Sequence, residues 1–185
     1  MDEHLVLRAK AGDHAAFTAL AALSVTRLHR TARLILRDDD QASDAVQDAL
    51  VSAWINIRSV RDPQRFDAWL QRLLVRSCYR LAGHHRRQRV VEVRVDPVDV
   101  PDAGDGMRDV ALRDQLEHAF RQLSPEHRAV LVVHHYLGLS DAEAADVLGI
   151  PAGTFKSRLN RATHGMRAAI EADERRARGA RESLA

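Results

Sequence analysis

The sequence predicts an all-α fold, with two small helical domains joined by a flexible linker. Three observations predict it. Apolar residues recur at helical spacing through most of the chain. Only five prolines and nine glycines interrupt 185 residues rich in Ala, Leu and Arg, a composition that favours helix. One stretch, VVEVRVDPVDVPDAGDG (Val90 to Gly106), breaks the pattern with two prolines, two glycines, several aspartates and no helical period. Its first six residues could form a strand, but no partner strand is evident. The expected boundaries are a first domain at 1–88, a linker at 89–107, a second domain at 108–172 and a charged tail at 173–185.

Composition narrows the function classes. Hydrophobic residues make up 45% of the chain, enough for real cores. The formal net charge is only +2 although the pI is about 9.1, so charge is segregated along the chain. The single cysteine, Cys78, excludes an intramolecular disulfide and an all-cysteine zinc site, and a reducing cytoplasm is the expected setting. No apolar run reaches the roughly 18 residues a membrane helix needs, so no membrane insertion is expected. The N-terminus, MDEHLVLRAKAGD, is amphipathic and charged, unlike a signal peptide.

Taken in order, residues 3–37 read as helix, broken at Gly12 and Asp13. The longer part, from about His14 to Leu36, has Phe17, Leu20, Leu23, Leu28, Ala32 and Ile35 as its apolar set. Asp38-Asp39-Asp40 marks a turn and a new helix start, where carboxylates meet the positive end of the dipole. The next helix, about Gln41 to Ile57, buries Ala42, Ala45, Val46, Ala49, Leu50, Ala53 and Trp54. Asp44, Gln47, Asp48 and Val51 fall on a neighbouring face. Asp44 and Asp48 are one helical turn apart, so their carboxylates share a side. They make either a solvated acidic face or a docking surface for a basic partner; nothing nearby completes a catalytic pair.

A polar loop, RSVRDPQ, covers 58–64. A helix from about Arg65 to Gly83 follows, with Phe66, Trp69, Leu70, Leu73, Leu74, Cys78 and Leu81 apolar. It leads into His84-His85-Arg86-Arg87-Gln88-Arg89, and no acidic residue occurs from Gln71 to Val91. Arg72, Arg76, Arg80, Arg86, Arg87 and Arg89 could neutralise phosphates or simply be solvated. Met107 to Leu123 returns to helix. Ser124-Pro125-Glu126 starts another, with the hydroxyl as cap and proline in the first turn; it ends at Gly138.

The most telling stretch is Leu139 to Arg167, which reads as a helix-turn-helix. Ser140 and Glu143 have capping-box spacing. Ala142, Ala145 and Leu148 are expected to form a small apolar face. Gly149 suits the left-handed C-terminal position, Ile150 plugs the turn, and Pro151 suits a helix start. On the second helix, Phe155, Leu159, Ala162 and Met166 form a core stripe. From Pro151 to Arg167 there are four Lys or Arg and no acid, whereas the first helix carries Asp141, Glu143 and Asp146. In helix-turn-helix proteins the second helix enters the major groove. A basic solvated face on an ordinary hairpin is the plainer alternative. Beyond Met166 the helix is expected to fade into a frayed charged tail.

Three stretches together resemble RNA polymerase sigma factors of the sigma-70 family, in the small two-domain extracytoplasmic-function group. DDDQASDAVQDALVSAWINI (Asp38 to Ile57) is similar to the region 2 helix with its D-A-x-D-x-x-Q-[DE] core. RFDAWLQRLLVRSCYRLAGHHRRQR (Arg65 to Arg89) is similar to the helix with the F-x-x-W-L pattern and a basic end. The segment from Leu123 to Arg167 resembles region 4, including its G-T-[VF]-K-S-R-L-x-R-A signature, and is the most specific match.

The resemblance implies a sigma region 2 helical bundle and a sigma region 4 helix-turn-helix in a non-enzymatic initiation factor. The implied partners are core RNA polymerase, promoter DNA and an anti-sigma factor. Asp44, Gln47 and Asp48 are implied to dock on the polymerase. The 58–64 loop and the helix carrying Phe66, Trp69, Arg72, Arg76, Arg80, Arg86 and Arg87 are implied to bind the −10 element as it melts, by capturing an unstacked base and tracking phosphates. Lys156, Ser157, Arg158 and Arg161 are implied to face the −35 element, with Thr154 near a phosphate. Arg76 and Arg80 stand where relatives commonly carry Asn and Asp, which implies a different −10 preference.

Two other function classes compete. A conventional helix-turn-helix regulator explains residues 124–167 but leaves the first 88 without a role, and usually needs a dimer. An enzyme or metal protein would have to use His84-His85 or His134-His135. Adjacent helical positions point about 100° apart, so neither pair chelates well from one face. HExxH, glycine-rich phosphate loop and nucleophile elbow motifs are all missing. No metal or cofactor is therefore expected.

Overall fold

The structure, a computed structural model, describes residues 3–88 and 107–182, with side chains placed at 3–83 and 114–176. The expected linker up to residue 106, and the strand considered within it, lie outside the described residues; Met107 already belongs to a helix. The described elements are all helical. They are α1 (Glu3–Lys10), α2 (His14–Leu36), α3 (Asp39–Asn56), α4 (Phe66–Gln88), α5 (Met107–Arg121), α6 (Pro125–Leu131), α7 (Asp141–Leu148) and α8 (Ala152–Glu182).

In the N-terminal half, local chemistry sets the boundaries. Asp13 caps α2 by accepting from the Ala16 N–H, and Asp38 caps α3 by accepting from the Gln41 N–H. Arg37 takes a left-handed φ of 61° and closes α2. α3 packs against both α2 and α4. Its buried face is Ala42, Ala45, Val46, Ala49 and Ala53, and these small side chains let the neighbouring helices approach closely. Trp54 is half-buried, with its ring 5.1 Å from Phe17 and 4.3 Å from His14. Arg27 of α2 pairs with Asp67 of α4. The 58–64 segment is less of a loop than the sequence suggests. Two 3₁₀ turns, Ile57–Ser59 and Pro63–Arg65, bracket a buried Val60 whose carbonyl accepts from the Lys10 ammonium.

Leu23 does not join the core of α2 as its periodicity suggests. It is 66% exposed, and Ser24 takes the buried position on the line running through Leu20, Leu28, Thr31 and Ile35.

In the C-terminal half, Ser124 caps α6, which runs into a π-helical turn at Val132–Tyr136. The wider turn ends at Gly138, whose φ is 65°. α8 packs on α5, α6 and α7. It continues well past Met166, where fraying is expected from sequence. The reason is a partner: Gln115 of α5 donates to the Ile170 carbonyl at 3.5 Å, and His118 lies 3.7 Å from Asp173. Gly165 lets α8 approach the α5–α6 turn, since a Cβ there would meet Leu123 Cδ2 at 3.1 Å.

The halves share one continuous hydrophobic core, with α6 packed on α2 and α4, and α7 packed on α4. At one end of the interface Arg128 of α6 is buried. Its guanidinium donates to the Leu123 carbonyl at 2.7 Å, the Ile35 carbonyl at 2.7 Å and the Leu36 carbonyl at 3.4 Å. Beside it, Arg37 pairs with Glu117 of α5 at 2.8 Å. Burial draws the Arg128 guanidinium down to about 10 from its ordinary 12.5, with Arg37 adding to the effect.

Candidate nucleic-acid interface

The helix-turn-helix forms as its local chemistry dictates. Ser140 and Glu143 make a reciprocal capping box at the start of α7. Gly149, at φ 65°, ends it and donates its N–H to the Ala145 and Asp146 carbonyls. The hydroxyl of Ser140, then its backbone N–H, hold the Glu143 carboxyl below the ordinary range. The buried face of α7 is Ala144, Ala145, Val147 and Leu148, so Ala142 is exposed rather than part of the expected apolar face. α8 seats Phe155 and Ala162 in the core. Pro151 sits just before the helix, its carbonyl accepting from the Phe155 N–H at 2.9 Å.

This anchoring sets what the first turns of α8 present. Lys156 and Arg161 are exposed, and Thr154, Ser157 and Arg158 are half-buried. The Lys156 ammonium is 3.9 Å from Asp141. The Ser157 hydroxyl is spent on the Thr154 carbonyl at 3.0 Å. Arg158 points at α4: it donates to the Tyr79 hydroxyl, with its guanidinium 5.9 Å from the ring centroid.

α4 supplies a second basic array. Arg72 reaches Glu143 at 3.3 Å. Arg76 donates to the Val147 and Asp146 carbonyls at 3.2 Å each and pairs with the Asp146 carboxylate at 3.3 Å. Arg80 pairs with Asp48 of α3 at 3.0 Å. Trp69 is half-buried, its ring 5.8 Å from Phe66. Phe66 lies deeper. It is 1% exposed, the first of the buried positions Phe66, Leu70, Leu74 and Cys78 on α4, so its ring faces the core. Arg86 and Arg87 lie in the last turn of α4, with side chains outside the described residues.

On α3, Asp44, Gln47 and Asp48 are exposed. The structure extends this face with Val51 (53% exposed) and Ile55 (71% exposed). Asp44, Asp48, Val51 and Ile55 follow i, i+4, i+7, i+11, so they line one side of the helix. Ile55 was legible by that spacing, although apolar character alone assigns it to a core. Tyr79, Glu143 and Asp146 were not legible as partners of the candidate arginines, because those contacts span about 70 or more residues of sequence.

Two acceptor-seeking surfaces and an exposed acid-apolar stripe thus occur in one chain. The sigma-70 region 2 profile matches residues 22–90, which span α2 to α4, and the sigma-70 region 4 profile matches residues 113–163, from α5 into α8. The ECF RNA polymerase sigma factor SigM of Mycobacterium tuberculosis (strain H37Rv) is 35% identical over 162 residues, covering 87% of this chain and 80% of that protein. The chain belongs to the sigma-70 family, in its extracytoplasmic-function group. The sigma factor is also 27% identical to the RNA polymerase sigma-H factor of Pseudomonas aeruginosa, covering 92% of this chain and 94% of that protein. Among solved structures, it resembles the sigma factor RpoE of Bartonella quintana, crystallised with the anti-sigma factor NepR. That match has a TM-score of 0.62 and 27% identity over 85% of this chain and 98% of the other. CnrH, solved with the cytosolic domain of CnrY, matches with a TM-score of 0.57 and 28% identity over 93% and 98% of the two chains. Among the described residues no helix is long and apolar enough to cross a membrane, and no cluster of three potential metal ligands occurs.

Proposed function

We propose that this sigma factor binds core RNA polymerase through α3, directs it to promoters by reading the −35 element with α8, and helps open the −10 element with α4. One observation carries the reading: both sigma regions are matched in one chain that also displays the exposed stripe Asp44, Asp48, Val51 and Ile55. A helix-turn-helix regulator acting alone gives that stripe and α4 no task. Its action is non-catalytic and cytoplasmic, consisting of binding and positioning.

In this reading Asp44, Gln47 and Asp48 meet a basic polymerase surface, and Val51 and Ile55 add apolar area at its centre. Lys156, Arg158 and Arg161 address base edges and phosphates of the −35 duplex, with Ser157 and Thr154 beside them. On α4, Arg72, Arg76, Arg80, Arg86 and Arg87 track phosphates, and Trp69 offers a ring to an unstacked base. Phe66 supports that ring from the core. The guanidinium groups of Arg76 and Arg80 suit phosphate oxygens and guanine edges alike. An anti-sigma factor is the remaining partner, the class to which the Bartonella relative's companion belongs.

The two bindings should separate. Lys156→Ala should weaken binding to a −35 duplex, by about 1 kcal/mol if it contacts a phosphate and more if it reads a guanine, with core polymerase affinity unchanged. Asp48→Arg should lower core polymerase affinity roughly tenfold or more, because like charges then oppose across the interface. A pull-down with core polymerase and a duplex titration read the two effects; loss of both bindings in both variants would refute the division of labour.

A further inference from the structure

The 58–64 segment between α3 and α4 carries a fold of its own. The 3₁₀ turn Ile57–Ser59 ends at Val60, whose N–H donates to the Ile57 carbonyl at 3.1 Å. Val60 is 3% exposed, while Arg58, Ser59, Arg61 and Gln64 are exposed. One apolar side chain is thus drawn inwards, and polar ones stand in solvent on both sides of it. Asp62 starts the second turn. Its carboxylate accepts from the Gln64 N–H at 3.0 Å, and its carbonyl accepts from the Arg65 N–H at 3.0 Å.

A buried residue's carbonyl needs a donor. For Val60 that donor is the ammonium of Lys10, the half-buried last residue of α1, 50 residues away in sequence. α1 also packs on both 3₁₀ turns and on α2. Its own placement is fixed by the corner that follows it. Gly12, at φ 97°, turns the chain, and the Asp13 N–H donates to the Arg8 carbonyl at 3.1 Å. The Arg8 guanidinium donates twice to the Asp13 carboxylate, at 2.9 Å and 2.6 Å. That carboxylate caps α2 by accepting from the Ala16 N–H at 3.0 Å. A line of contacts therefore runs from the cap of α2, through Arg8 and α1, to the backbone of the 58–64 segment.

We propose that Lys10 is a positioning residue for −10 selection: by holding the Val60 carbonyl it fixes Arg58 and Arg61, on either side of Val60, in the geometry that discriminates between bases. The inference rests on the functional reading above, in that the 58–64 segment is taken with α4 to address the −10 element. It adds a residue remote in sequence that acts through the loop rather than on the strand. A loop ordered in advance loses less conformational freedom on binding. It also does not reshape itself around a mismatched base, so order in the loop becomes selectivity. A lysine that only stabilised the fold would affect every binding alike.

The test uses the full-length protein assembled with core polymerase. The probe is a pool of DNA single strands of randomised sequence, captured by the assembly, recovered and sequenced. Lys10→Met keeps the aliphatic stem and removes the donor. It should flatten the base preference of the recovered strands, lowering enrichment of the favoured bases roughly fivefold, the lower end of what one well-placed base contact discriminates. Core polymerase affinity, and binding to a −35 duplex taken from a run-off promoter, should stay at parent values. Lys10→Arg, whose guanidinium can donate to the same carbonyl, should restore the preference. Arg58→Ala and Arg61→Ala should each change it. A parent-like preference in Lys10→Met, with both arginine variants altered, would overturn the positioning role and leave the −10 reading standing. A parent-like preference in both arginine variants would sink the −10 reading of the loop and the positioning role with it. Joint loss of all three bindings in Lys10→Met, or no recovery in Lys10→Arg, would overturn the positioning role as well.

Discussion

Replacing Arg128 by methionine removes the guanidinium and keeps most of the aliphatic stem. Two of its donated hydrogen bonds are 2.7 Å long and the third is 3.4 Å, so the first two dominate. Bonds from a charged donor contribute about 1.5–3 kcal/mol each, giving roughly 3–6 kcal/mol lost. Methionine also relieves the burial cost of the cation. That cost is what draws the guanidinium down to about 10, with the neighbouring Arg37 adding to it, and its relief offsets part of the loss. The carbonyls of Ile35, Leu36 and Leu123 are then left without this donor in a dry interface, adding about 1 kcal/mol or more for each that water cannot reach. The net expectation is a loss of roughly 2–4 kcal/mol. For a chain of this size that lowers the melting temperature by about 5–12 °C. Urea unfolding followed by far-ultraviolet circular dichroism reads it directly. Arg128→Lys should recover only part, since one ammonium cannot span three carbonyls in two halves. A loss below about 1 kcal/mol for the methionine variant would refute the reasoning.

Cys78 is fully buried and its thiol is pushed up to about 12 by burial, so it should resist thiol reagents at neutral pH until denaturant is added; labelling of the folded protein at the rate of an exposed thiol would contradict this. Glu143→Gln should flatten the acid limb of the stability profile. The Glu143 carboxyl is held below its ordinary 4.5 in the folded state, so its contribution is complete above that value and fades as pH falls through the lowered one. Melting temperature measured against pH should show the parent and variant converging in acid; a constant offset at every pH would contradict it.

The parts of the fold governed by nearby residues were legible in the sequence. Ser140, Glu143 and Gly149 bound α7 through contacts no more than four residues long. The alanine face of α3 and the stripe of Phe155 and Ala162 follow from periodicity alone. What escaped depends on long-range partners. The continuation of α8 past Met166 has α5 beside it at Ile170 and Asp173. Ala142 and Leu23 look like core residues on their own helices, yet no neighbouring helix covers them. The resemblance implies Phe66 as a −10 contact through the F-x-x-W-L pattern, which does not say which face of the helix each aromatic takes. The burial of Phe66 shows that the first aromatic anchors the helix and only Trp69 remains partly open. The pairing of candidate DNA-binding arginines with α7 and with Tyr79 has no local signature at all.

The central claim is that this chain confers promoter selection on core RNA polymerase. Run-off transcription on genomic fragments, with core polymerase plus or minus the protein, tests it most directly. The account predicts discrete transcripts that appear only with the protein and are reduced by both Asp48→Arg and Lys156→Ala. Identical transcript patterns with and without the protein would contradict it.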